Sequence, residues 1–143
     1  MVDGLHRVVI TGLGAVTPIG NTVQDYWNGL TSGSNGVDAI TLFDASSHAC
    51  RFAAEVKDFD PSGFIEPKEA KRWDRFCKFG VVAAKQAVAH AGLEINDANA
   101  DRIGTIIGSG VGGASCANAT FDDASNNPTS ALRIFMVCPG SKV

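Results

Sequence analysis

The sequence has no apolar run approaching the length of a bilayer crossing, which excludes a membrane-spanning helix. Charge of either sign is sparse, at 19% of 143 residues against the usual share of about a quarter. A net charge of -3 leaves no basic footprint for nucleic acid. The cysteines Cys50, Cys77, Cys116 and Cys138 show no paired spacing, and His48 and Cys50 stand two apart with no second close pair. A structural metal needs clustered ligands, so no metal site is expected. Gly-Lys-Ser/Thr never occurs, which excludes a Walker phosphate loop. Met1 to His6 is short and polar, unlike a secretory or organellar leader. Free thiols in a reducing, cytoplasmic setting follow.

Glycine, by contrast, is plentiful at 16 residues, and 45% of the chain is hydrophobic. That suits one core in an α/β chain with tight strand-to-helix turns. Val8 to Leu13 reads as a buried strand ending in Gly12, Gly14 and Gly20. Asn21, with Gln24 three residues on, is expected to cap a helix carrying Val23, Trp27 and Leu30 on one apolar face. Gly33 to Gly36 ends that helix, Phe52 to Val56 reads as a short strand, and residues 58–63 carry turn chemistry.

From Pro67 to Gly92 the pattern predicts one long helix. Ala70, Trp73, Phe76, Cys77, Gly80, Val81, Ala84, Ala87, Val88 and Ala91 recur every three or four residues, and the second half of that stripe is small enough for another backbone to approach closely. Lys85 and His90 fall off the stripe, His90 as an exposed position near the helix C-terminus. Lys68, Lys71, Arg72, Arg75 and Lys78 share their segment with Glu66, Glu69 and Asp74 and read as a solvated face. Ile103 to Ile107 is a second strand running into Gly108, Gly110, Gly112 and Gly113. Two strands ending in glycine turns with helices between them predict a parallel sheet.

Glycine turns invite a nucleotide, but the spacing disagrees. After Gly12-Leu13-Gly14, the third glycine of a dinucleotide fingerprint is replaced by Thr17, followed by Pro18, which removes a backbone donor where a pyrophosphate would need one. Structural glycines, allowing close backbone approach, are the simpler expectation. No cofactor is expected.

The order of Val-Ile-Thr-Gly-Leu-Gly, Thr17-Pro18-Ile19-Gly20-Asn21, Phe52 to Val56, Lys71 to Phe76 and Ile107 to Gly113 resembles the 3-oxoacyl-(acyl-carrier-protein) synthases, most closely the long-chain elongating type, synthase II. The resemblance implies the opening part of the N-terminal half of a thiolase-like layered αβαβα fold. It also implies acyl-carrier protein as partner, pairing as a homodimer, and a decarboxylative condensation of an acyl thioester with malonyl-carrier protein. The family's nucleophilic cysteine lies several tens of residues beyond the Gly-Ser-Gly loop, with its histidines further on, so no catalytic residue carries over. Cys116 comes too early and Cys138 lacks an activating helix start. His6, His48 and His90 match no family histidine. Val111 matches the position that limits the acyl pocket.

The expected organisation is a condensing-enzyme segment at residues 1–113 and a divergent tail at 114–143. The expected product is a truncated synthase, inactive alone. The alternative is a non-catalytic interaction module that binds a full-length synthase or acyl-carrier protein.

Overall fold

The computed structural model describes residues 8–109 and 133–137, which form a mixed α/β arrangement. In chain order come α1 (Val23–Ser32), β1 (Asp38–Ala39), β2 (Phe52–Ala53), α2 (Pro67–Ala70), α3 (Arg75–His90), a 3-10 turn at Ala100–Arg102, β3 (Gly104–Gly108) and β4 (Arg133–Val137).

The cap of α1 is Thr22, one residue later than the sequence suggests. Its Oγ1 accepts from the Asp25 N–H at 3.1 Å and donates to Asp25 Oδ2 at 2.6 Å. Thr22 and Asp25 have the same three-residue spacing as Asn21 and Gln24, so the pattern alone does not separate them. Asn21 is used elsewhere: its Nδ2 donates to the Lys57 and Asp58 carbonyls at 2.9 and 3.3 Å. Gly33 closes the helix at φ 70, in the left-handed region.

The helix expected from Pro67 to Gly92 is two. α2 ends at Ala70, the chain turns through Lys71–Trp73, and Asp74 restarts it with ψ 157. The apolar spacing runs on across this break because residue periodicity does not register the turn of the backbone at Asp74. On α3 the buried positions are Gly80, Val82 and Ala83, flanked by half-buried Val81, Ala84, Ala87 and Val88.

Strand pairing departs from the parallel expectation. β1 pairs β2 antiparallel, Asp38 opposite Ala53, and β3 pairs β4 antiparallel from Gly104 opposite Val137 to Gly108 opposite Arg133. β4, which lies beside α3, belongs to the tail. Val8 to Leu13 joins no ladder among the described residues. The β-branched run is present, but a strand needs a neighbour.

Burial is thin. Ala45, Ile65, Val82 and Ala83 are the buried hydrophobic residues among those described, whereas thirteen large hydrophobics stand exposed, Ile10 at 83% and Val8 at 78%. The fold therefore leans on local polar ties. The Glu55 carboxylate takes the Thr41 hydroxyl at 2.7 Å, the Thr41 N–H at 3.1 Å and the Leu42 N–H at 3.2 Å, fixing the turn after β1. The Lys57–Asp38 pair at 3.0 Å is well exposed and contributes little.

Those bonds, the Thr41 hydroxyl foremost, hold the Glu55 carboxyl below its ordinary value of 4.5. A depressed carboxylate stabilises the fold above its unfolded-state pKa, and the contribution disappears as pH falls through the folded one. Glu55→Gln is expected to be less stable than wild type at neutral pH. The two urea midpoints should converge as pH drops below 4.5. A constant gap across that range would show that Glu55 contributes only shape.

Candidate functional site

The chain from Gly12 to Asn21 is the feature around which the described elements meet. Gly12 lies over Ala87 and Ala91 of the α3 end, and Gly14 over Ala83 and Ala87. Two residues of extended chain advance about 6.6 Å and four helical residues about 6 Å. The match lets the segment run antiparallel along the small face of α3. A Cβ on Gly14 would fall on the Ala83 carbonyl, and one on Gly12 on the Ala87 carbonyl, so neither position has room for a side chain.

The backbone donors between those glycines are taken by α3 side chains one turn apart. The Leu13 N–H donates to His90 Nδ1 at 3.0 Å, and the Ala15 N–H to Gln86 Oε1 at 3.1 Å. Gln86 Nε2 reaches on to the Asn21 carbonyl at 2.7 Å, spanning both ends of the loop. Between them Thr17 and Gly20 exchange two backbone bonds of 2.9 and 3.3 Å around Pro18, and the Thr17 hydroxyl accepts from the Ile19 N–H at 3.4 Å. The donors of residues 13, 15, 17, 19 and 20 are thus all engaged within the protein. They do not form an open cradle for a phosphate.

Gly12 and Gly14 therefore sit together on α3, whereas Gly20 lies against the backbone of Asp25 and Tyr26 on α1. Gly108 is placed separately, at the end of β3 opposite Arg133. Gly110, Val111, Gly112 and Gly113 lie outside the described residues, as do His6, Cys116 and Cys138. Cys50 is exposed and Cys77 half-buried on α3. His48 stands edge-on to Phe43 at 5.6 Å. Among the described residues no three His, Cys, Asp or Glu side chains gather as metal ligands, and no helix is long and apolar enough to cross a membrane. Sequence reasoning missed Gln86. The available signal was a polar residue between Ala84 and Ala87, on a helix otherwise chosen for close approach.

Comparison with known proteins gives a consistent picture. The family model described as "Beta-ketoacyl synthase, N-terminal domain" matches residues 5–140. The protein named 3-oxoacyl-[acyl-carrier-protein] synthase 2 of Synechocystis sp. is 64% identical over 107 residues, 75% of this chain and 26% of that protein. Its namesake from Coxiella burnetii is 49% identical over 117 residues, 82% of this chain and 28% of that protein. The solved structure titled "The ishigamide ketosynthase/chain length factor" aligns with TM-score 0.56 and 39% identity, covering 62% of this chain and 22% of that one. The chain thus spans about a quarter of the length of the curated relatives it matches.

Gly14→Ala is expected to cost about 3 kcal/mol, the upper end of overpacking, because the obstacle is a helix carbonyl. Gly63→Ala, where nothing lies within 4 Å, serves as control and should change stability by less than about 0.5 kcal/mol. Equal urea midpoints for the two variants would contradict the packing described. Gln86→Leu strands the Ala15 donor and the Asn21 acceptor and should cost about 1–3 kcal/mol. Gln86→Glu, which keeps the acceptor, should fall between Gln86→Leu and wild type in the same titration.

Proposed function

Because the chain belongs to the beta-ketoacyl synthase family, we propose that it is the opening segment of a 3-oxoacyl-(acyl-carrier-protein) synthase II. The complete enzyme of this kind condenses an acyl thioester with malonyl-carrier protein, with loss of carbon dioxide. The observation that carries the proposal is 64% identity over 107 residues to a protein of that name.

The reaction needs a thiolate that takes the acyl group, and donors for the oxyanion and enolate. Residues 1–113 supply the frame for that chemistry, with Gly12, Gly14 and Gly20 as packing glycines and Val111 as the residue that bounds the acyl pocket. The chain alone does not turn over. Residues 114–143 are a divergent tail in this proposal, tied to the segment before it through the pairing of β4 with β3. Cytoplasmic placement and homodimeric pairing belong to it as well.

Acyl-carrier protein is the proposed partner. The side chains of Lys68, Lys71 and Arg72 are exposed and make no hydrogen bond or ion pair among the described residues. They offer exposed cationic side chains to a negatively charged carrier. Lys85 and Arg75 are already engaged, since they donate to the Phe64 and Val56 carbonyls. The exposed apolar residues favour a second reading, a non-catalytic module that binds a synthase.

The purified chain, given acyl- and malonyl-carrier protein, is expected to form no product above a blank; turnover would overturn its inactivity. Residues 1–113, grafted in place of the matching part of the Synechocystis relative, are expected to leave that enzyme active. An inactive graft would overturn assignment to the synthase. Lys71→Glu with Arg72→Glu in the graft should weaken carrier-protein binding about tenfold at low salt and flatten its salt dependence. Unchanged binding would place the carrier elsewhere.

A further inference from the structure

We propose that Asn35 is a self-modification site, converting in water to aspartate and isoaspartate through a cyclic imide with Gly36, and that isoaspartate there unseats Gly36 from the Pro18–Ile19 turn. Asn-Gly occurs at Asn28-Gly29 and at Asn35-Gly36. Glycine after asparagine leaves its nitrogen unshielded by a Cβ and its backbone free to close on the side chain. The Gly36 amide nitrogen gives up its proton and bonds to Asn35 Cγ, the Cγ–Nδ2 bond breaks, and ammonia leaves. Water then opens the imide. Breaking the new Cγ–N bond gives aspartate, whereas breaking the original peptide bond gives isoaspartate, whose main chain runs through Cβ and Cγ. No oxidant or reductant is consumed.

The structure separates the two pairs. Asn35 and Gly36 lie between α1 and β1, outside helix and strand, and Asn35 is exposed. The Gly36 N–H makes no hydrogen bond among the described residues, so none has to break before the nitrogen attacks. The Val37 N–H donates to Asn35 Oδ1 at 3.0 Å. That bond draws electron density from Cγ and supports the oxyanion that develops on the same oxygen. Asn28 Oδ1 also accepts a bond, from Gln24 Nε2 at 2.9 Å, so the difference lies in the nitrogen. Gly29 is buried inside α1, its N–H committed to the helix ladder. Attack there requires the helix to open.

The two products differ in consequence. A Cβ on Gly36 would stand 2.8 Å from Ile19 Cγ2 and 2.9 Å from Pro18 Cβ, so this glycine is closely seated. β1 follows at once, with Asp38 opposite Ala53. Isoaspartate inserts an extra main-chain carbon, and Gly36 and Asp38 can no longer both keep their places. Aspartate keeps the chain length and adds only charge.

The test is incubation of the full chain in mildly alkaline buffer, followed by peptide mass mapping and enzymatic methylation of isoaspartyl carboxyls. In the folded chain Asn35 should convert at least about tenfold faster than Asn28, and urea should bring Asn28 to a similar rate. Equal rates in the folded chain, or an unchanged Asn35, would overturn the proposal. Asn35→Asp should keep the wild-type urea midpoint, while the separated isoaspartyl chain should unfold at lower urea. Equal midpoints for those two forms would overturn the unseating of Gly36.

Discussion

The contact on which the described structure depends is the close approach of residues 12–15 to the small face of α3. It joins two kinds of interaction that reinforce each other. Glycine at positions 12 and 14 brings the backbone to van der Waals distance of Ala83, Ala87 and Ala91. That proximity in turn puts the Leu13 and Ala15 donors within reach of His90 and Gln86. A side chain at either glycine would open the gap and leave both donors unsatisfied. Gln86 then carries the constraint to Asn21, and Asn21 to the turn at Lys57–Asp58, where Asp58 sits at φ 51. Segments distant in sequence are thereby held by a few directional bonds, although burial is slight.

That economy explains why the same segment looks unfinished from the other side. The run before Gly12 is built for an interior and lies in the open, and so do Trp27 and Leu30 on α1. The family resemblance and the coverage of the relatives account for this together: the chain matches the N-terminal domain of a longer enzyme.

Much of this was legible in the sequence, and the remainder failed for definable reasons. The glycine turn after Ile10, the αL cap at Gly33 and the small-residue face of the helix ending near Ala91 are each encoded by local chemistry. Thr22 displaced Asn21 as cap because two equally spaced pairs compete and only tertiary contact with Lys57 decides between them. The break at Lys71–Asp74 is a backbone event that side-chain periodicity does not register. Antiparallel pairing of β3 with β4 depends on a strand, Arg133–Val137, in the tail, where the local pattern had suggested no element. Of the candidate pocket, Val111 came from the resemblance alone.

The central claim is that the Gly12–Ala15 segment is bound to α3 by those two side-chain bonds. Native-state amide hydrogen exchange measures it directly. Leu13 and Ala15 should exchange on the timescale of the α3 amides at Val82 and Ala83, and Val9 as fast as an unstructured peptide. Rapid exchange at Leu13 and Ala15 while Val82 and Ala83 stay protected would contradict the account.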